Sequence, residues 1–263
     1  MKTILVLGAT GFVGSHTLEF LMSQSGVKVI AACRSSNKLN PNFDGEIREG
    51  DIRDDKYLLS LFEGVDVVIN AMAWTSLWGH KQQSEEMFLK PSIRLIDVFS
   101  HSKAQRFVNV STISAAAPVH SSDPMSYGLL RRFWPHLCNV IRIENELRNL
   151  ASANKAVVNL RLGLFAGKNY ALGLLPILVP RMKTHLVPWV ARGQTGMPII
   201  DGRDIAQAMG LAATSNRISG FESFNIVGPC IPKVREVIDY LAEHYHLPRP
   251  HFSVPFFIAY PFA

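Results

Sequence analysis

The chain has 263 residues, 48% of them hydrophobic, enough for one large α/β domain or one domain with a small appended lobe. Its formal charge of +6 suits an anionic ligand, but the basic residues are scattered, with Arg131 and Arg132 the nearest thing to a cluster, so no nucleic-acid partner is expected. Cys33, Cys138 and Cys230 have no metal-ligand spacing and fit a reduced cytoplasmic protein, and no apolar run reaches the roughly 18 residues of a membrane span.

The first predicted element is an apolar strand over 4–7, cut off at Gly8 and followed at once by a helical pattern through Phe12, Val13, Leu18, Phe20 and Leu21. Gly8, Gly11 and Gly14 make a G-x-x-G-x-x-G loop, and Thr10, Phe12 and Val13 lie inside it. A dinucleotide site needs all three glycines. They allow the turn off the strand, the approach of backbone N–H groups to a pyrophosphate, and close packing of helix on strand. The negative charge then rests on the helix N-terminus, where unsatisfied N–H groups and the helix dipole favour it.

The second predicted strand is Val27–Cys33. An acidic residue about 20 positions past the glycines ordinarily holds the adenosine ribose 2′-hydroxyl. Arg34 stands at that strand end instead, with Lys38 close behind. A guanidinium there makes charge-assisted bonds to a 2′-phosphate worth about 1.5–3 kcal/mol, so NADP(H) is expected over NAD(H).

A third strand is predicted over 46–50, then a helix whose Tyr57, Leu58, Leu61 and Phe62 read as core, then an unalternated, buried strand over 65–70. That strand opens into Ala71, Met72, Ala73 and Trp74; Trp74 and Trp78 are equally suited to wall a pocket or fill a core. A helix over 92–102 precedes a fifth strand over 106–110, which runs into Ser111, Thr112 and Ser114. Spacing does not choose among these hydroxyls, and such a cluster also makes an ordinary turn. Pro135 opens a helix through Ile141, Ile143, Leu147 and Leu150; on it, His136 reads as an acid or base or, more simply, as a solvent-exposed histidine. A sixth strand follows over 156–161. The section over 173–196, with Leu174, Leu175, Ile177, Leu178 and Trp189, suits an apolar ligand or the core of a lobe. Asp204 is expected to cap a helix, a strand is expected over 223–228, and an amphipathic helix over 233–245.

The G-A-T-G-F-V-G spacing of residues 8–14 resembles the short-chain dehydrogenase/reductase superfamily in its extended, epimerase-like branch, and the resemblance can be followed to about Gly228. It implies that Asp51 accepts from the adenine amine while Ile52 packs on the ring. It also implies that the backbone of Ala71, Met72 and Ala73 passes the ribose and phosphates, and that Ser111, Thr112 or Ser114 polarises a substrate carbonyl. The asparagine that organises the family's catalytic water falls at Phe88, and the glycine after it at Pro91. The family's Tyr-x-x-x-Lys, a proton-transferring phenol and a lysine that holds the nicotinamide ribose, falls at Cys138 and Arg142. That register is counted from Glu144 and Glu146 and, independently, from Leu160, Arg161, Leu162 and Gly163. Tyr127, with Arg131 at the lysine spacing, is the nearest replacement phenol. Residues 252–263 resemble the start of the apolar C-terminal helix of the hydroxysteroid dehydrogenase and dihydroflavonol reductase groups. The chain stops partway into that pattern, which implies truncation or a short lobe.

The expected architecture is therefore α/β, a doubly wound parallel sheet (Rossmann) with a small C-terminal substrate lobe. Residues 1–165 would form the dinucleotide-binding core and 166–263 a mixed region carrying the lobe and the last core strand, within about 198–228. The expected function is NADP(H)-dependent oxidoreductase or epimerase-like chemistry on an apolar carbonyl or hydroxyl substrate. The alternative is a non-catalytic NADP(H)-binding sensor, accessory or scaffold protein; a homodimer fits either.

Overall fold

The computed structural model describes residues 1–74, 79–118, 122–128, 133–168 and 174–255. In chain order the elements are β1 (Lys2–Leu7), α1 (Phe12–Met22), β2 (Val27–Cys33), β3 (Glu46–Glu49), α2 (Asp55–Ser60) and β4 (Val67–Asn70). Next come α3 (Lys81–Ser84), which continues through a π-helical turn (Glu85–Leu89) into α4 (Lys90–His101), then β5 (Arg106–Thr112), α5 (Pro135–Leu150) and β6 (Ala156–Leu162). The rest are β7 (Leu164–Ala166), α6 (Leu174–Met182), β8 (Trp189–Val190), β9 (Ile199–Asp201), α7 (Gly202–Thr214), β10 (Phe221–Ile226), α8 (Val234–His244) and β11 (Ser253–Val254).

The chain divides into two compact units, one of Met1–Leu162 and Gly202–Ile226, the other of the described residues in Gly163–Asp201 and Val227–Ala263. The first unit is a seven-stranded sheet in the order β10-β6-β5-β4-β1-β2-β3, parallel at every pairing. The direction of winding reverses between β1 and β4, which opens a crevice at the carboxyl ends of those strands. Both faces are covered, so β4 and β6 are buried along their whole length, and β1 over its last four residues, where a half-exposed strand would alternate.

On the face packed by α2, α4 and α5 the side chains change character row by row toward the crevice. Leu5, Val68, Phe107, Val157 and Phe221 lie in register and are apolar. Two residues further on, the row is Leu7, Asn70, Asn109, Asn159 and Ser223. Asn70 Nδ2 donates to Asn109 Oδ1 at 3.1 Å, and Asn109 Nδ2 to Asn159 Oδ1 at 2.9 Å. Asn159 Nδ2 and Ser223 Oγ end the row without a hydrogen-bond partner among the described residues. At the other end the Met72 backbone N–H donates to Asn70 Oδ1 at 3.3 Å, which ties the loop after β4 to the sheet. The third row begins with Ser111 and Arg161 and is ionic.

Two expectations are corrected. Asp204 lies within the first turn of α7 instead of at its cap, where its carboxylate still meets the positive end of the helix dipole. The helix starts earlier, at Gly202, where a Cβ would stand 2.7 Å from the rings of Phe12 and His16; glycine there lets α7 pack tightly on α1. His136 is buried instead of solvent-exposed, and the polar partner of its Nδ1, Ser84, comes from the short helix α3.

In the second unit, Met182, Trp189, Ile238, Leu241 and Ala242 form a small core with Leu178 against it, and the Arg235 guanidinium stacks 4.0 Å over the Trp189 ring. Leu178 and Trp189 therefore serve the lobe's own packing. Glu236 accepts from the Lys233 N–H at 2.7 Å, which satisfies one donor at the start of the amphipathic α8. Trp78, Arg131 and residues 256–263, on which expectations were placed, lie outside the described residues. No helix among the described residues is long and apolar enough to cross a membrane.

Candidate functional site

The glycine loop has the geometry its spacing predicts. Gly8 sits at φ +72°, and a Cβ there would come within 2.9 Å of the Ala71–Met72 peptide. Loop 8–14 and the loop after β4 thus meet backbone to backbone, and the Met72 side chain is not part of that contact. A Cβ on Gly14 would stand 2.1 Å from the Gly8 carbonyl oxygen, so only glycine lets α1 start so close to the strand. Gly11 occupies the cap position of α1 without a side-chain hydrogen bond to the first turn, and it donates its own N–H to Gly8 O at 2.9 Å. Thr10 and Phe12 are half-buried and Val13 is buried beneath the loop. The first turn of α1 thus starts beside the loop with no side-chain acceptor on its N–H groups, at the positive end of the helix dipole. Ala71 is buried and Ala73 exposed on the neighbouring loop.

At the end of β2, the expected adenosine end, Arg34 and Lys38 are exposed, and neither side chain has a hydrogen bond or ion pair among the described residues. Two features here were not anticipated. Asp51, the expected adenine acceptor, is already held by Arg53, whose Nε lies 3.0 and 3.1 Å from its two carboxylate oxygens. That bond, and to a lesser degree the nearby charge of Arg34, pulls its pKa down to about 2. Glu49 pairs in register with Cys33 and accepts from the Ser36 backbone N–H at 2.7 Å. A carboxylate from β3 therefore occupies the loop after β2, where the family's acid would stand. Ile52 packs on the main core cluster.

At the far end of the crevice Ser111 is buried and its Oγ donates to Glu144, which is itself paired with Arg161. Its proton is therefore committed to the protein. Thr112 Oγ1 accepts from the Ser114 N–H at 3.3 Å and caps the turn over Ile113–Ala115, so this hydroxyl pair does make an ordinary turn. Cys138 is half-buried; Arg142, one helical turn on, is exposed and has no hydrogen bond or ion pair among the described residues. Tyr127 packs against the cluster of Ala115, Leu137, Val140 and Ile141, three of which lie on the helix that carries Cys138.

Beside them lies a buried polar cluster. Ser84 Oγ is 2.9 Å from His136 Nδ1, and Asn139 Nδ2 donates to the same Oγ at 2.9 Å. The imidazole is enclosed by Phe88, at 4.8 Å between ring centroids, and by the edge of Trp74 at 5.4 Å. Burial without a charged neighbour pushes its pKa down to about 4, so it is neutral at pH 7. Phe88, where the resemblance would put the family's asparagine, stands against the imidazole of this cluster.

The sequence profile of the NAD dependent epimerase/dehydratase family matches residues 4–227. A curated relative, CDP-abequose synthase of Salmonella typhimurium, is 25% identical over 139 residues, which is 51% of this chain and 46% of that protein. The match thus spans about half the length of that relative. Among solved structures the chain is similar to gox2253, with a TM-score of 0.80 at 18% identity over 100% of this chain and 81% of the other. MoeE5 in complex with UDP-glucose and NAD gives 0.72 at 22% identity over 95% and 84%. The Bordetella bronchiseptica enzyme WbmH in complex with NAD+ gives 0.76 at 18% identity over 97% and 85%. These likenesses bear on the fold. The profile match covers most of the length and takes in the glycine loop, both crevice loops and β10, and on that ground the chain belongs to the NAD dependent epimerase/dehydratase family.

Proposed function

We propose that the chain binds a nicotinamide dinucleotide with its pyrophosphate on loop 8–14 and the N-terminus of α1, favours NADP(H), and works at a carbonyl or hydroxyl carbon of a small molecule. The observation that carries this reading is the approach of α1 to the Gly8 carbonyl at Gly14, beside a helix start that no side chain caps. The bound dinucleotide would supply or accept hydride. The chain would hold its phosphates on backbone N–H groups, its adenine end between Arg34 and Ile52, and its ribose near Arg142. The unengaged Arg34 supports a 2′-phosphate, and Glu49 on the Ser36 N–H opposes one. The aromatic walls at Trp74 and Phe88 support an apolar carbonyl compound; the UDP-glucose held by MoeE5 makes nucleotide sugars the class to screen beside it. A cytoplasmic location and a homodimer complete this reading.

A second reading, a dinucleotide-binding protein without turnover, is favoured by Cys138 and Arg142 at the expected Tyr and Lys positions and by the engagement of Ser111 with Glu144. The test is titration calorimetry with NADPH and NADH, then a cofactor-oxidation screen on ketones, aldehydes and UDP-sugars with wild type, Cys138→Ser and Tyr127→Phe. Binding without turnover supports the second reading. Turnover lost in Tyr127→Phe alone assigns the acid to the loop phenol, and turnover lost in Cys138→Ser assigns it to the thiol. No dinucleotide binding overturns both readings.

A further inference from the structure

Asn139, Ser84 and His136 form a directed relay. The Ser84 hydroxyl accepts from Asn139 and has one proton of its own to place. Ser84 is fully buried, and His136 Nδ1 is the acceptor within reach at 2.9 Å. If Nδ1 carried the imidazole proton, the buried hydroxyl would accept twice and its own proton would have no acceptor, a cost of about 1–3 kcal/mol. The relay therefore places the imidazole proton on Nε2. That nitrogen has no hydrogen bond among the described residues, and the residue as a whole is 8% exposed.

The surroundings give this N–H a direction. Trp74 is on the loop whose Ala71–Met72 peptide touches Gly8, so the imidazole flanks the same end of the sheet as the dinucleotide loop. Among the described residues, the groups recorded against the ring from the other elements are Trp74, Ser84 and Phe88, none of them charged. A neutral imidazole held by a hydrogen bond on its other nitrogen can polarise a carbonyl without giving up its proton.

We propose that the Nε2–H of His136 is a hydrogen-bond donor to a carbonyl or hydroxyl oxygen of the bound substrate, in a subsite walled by Trp74 and Phe88. No proton is transferred from it: Nε2 binds and polarises the oxygen, Ser84 and Asn139 hold the tautomer, and the acid of the reaction lies elsewhere. The proposal deepens the reading given under Proposed function and rests on it.

The experiment uses the full chain labelled with ¹⁵N-histidine and reads imidazole nitrogens by NMR, with UDP-glucose and 2-heptanone as probes, each with and without saturating NADP+. The expected wild-type result is a protonated Nε2 and an unprotonated Nδ1 for His136 at pH 7, with Nε2 shifting when one of the probes is added. His136→Phe should weaken that probe about three- to tenfold while the NADP+ affinity stays unchanged. Ser84→Ala keeps the imidazole in place and should mix the two tautomers, which keeps the test readable if His136→Phe does not fold. A proton on Nδ1, or an Nε2 signal unmoved by both probes, overturns the proposal. Loss of NADP+ binding in wild type overturns the dinucleotide reading instead, and the probe titrations without dinucleotide still judge His136 on its own signals.

Discussion

Glu144 and Arg161 form an ion pair at 2.7 Å with 1% and 0% of their side chains exposed. The guanidinium meets both carboxylate oxygens, with its Nε 3.1 and 3.2 Å from them, and Ser111 donates to one of the same oxygens. One carboxylate thus binds α5, β5 and β6 together at the crevice end of the sheet. The hydroxyl nearest the expected reaction centre is committed to that junction, so Ser111 would act on a substrate only by leaving Glu144.

Breaking this pair should be costly. Arg161→Met leaves a carboxylate buried with only Ser111 as partner, and should destabilise the protein by about 3–5 kcal/mol. Replacing both members with Glu144→Leu and Arg161→Met removes the stranded charge and should cost clearly less than the sum of the two single changes. Urea unfolding of the four proteins measures this. Additive single and double costs would mean that the pair is not coupled.

Cofactor choice should turn on two residues of opposite sign. Arg34→Ala should weaken NADPH by about 1.5–3 kcal/mol and leave NADH nearly unchanged. Glu49→Gln should strengthen NADPH, because it removes a carboxylate from the loop that a 2′-phosphate would enter. Titration calorimetry with both cofactors checks this. Equal affinity of wild type for NADPH and NADH, unaltered in Arg34→Ala, would count against a 2′-phosphate site.

The glycine loop, the order of strands and helices, and the core positions on and just after α2 were legible because each rests on local chemistry: a strand ending at Gly8, or apolar spacing at Tyr57, Leu58, Leu61 and Phe62. Pairings between distant elements were not. Asn70, Asn109 and Asn159 are single residues in three separate apolar strands, and only the parallel register puts them in one row. His136 read as exposed because its partner Ser84 is 52 positions away on a four-residue helix that no periodicity marks. Glu49 was passed over for a similar reason. Glu49 stands at the end of β3, and only the pairing of β3 with β2 brings its carboxylate to the loop after β2.

Gly14→Ala should test the loop itself. The added methyl meets the Gly8 carbonyl oxygen at 2.1 Å, a contact that only a shift of α1 away from the loop can relieve. Such overpacking costs about 1–3 kcal/mol, and it moves the N–H groups at the start of α1 away from the phosphate position. The variant should fold with a lowered urea midpoint and lose most of its affinity for both NADPH and NADH. Unchanged binding of both would remove the pyrophosphate from this loop.

The last prediction concerns pH and the buried imidazole. In the folded chain His136 is held at about 4 by burial, against an ordinary value of 6.5. The unfolded state therefore takes up a proton first as pH falls, and each proton bound only by the unfolded chain lowers stability. The contribution is fully present above about pH 6.5 and is lost as pH falls toward 4, on the order of 3 kcal/mol across that window. His136→Phe lowers stability at every pH, because the buried Ser84 hydroxyl loses its partner, so the informative quantity is the slope. Carboxylates titrate in the same range, but they are common to both proteins and cancel in the difference. Urea unfolding at pH 7.5, 6, 5 and 4.5 should show wild type losing stability faster than His136→Phe below pH 6.5, with the two curves converging as the solution becomes more acid. Parallel curves would mean that His136 is protonated in the folded protein as readily as in the unfolded one, and the neutral, relay-held imidazole would have to be given up.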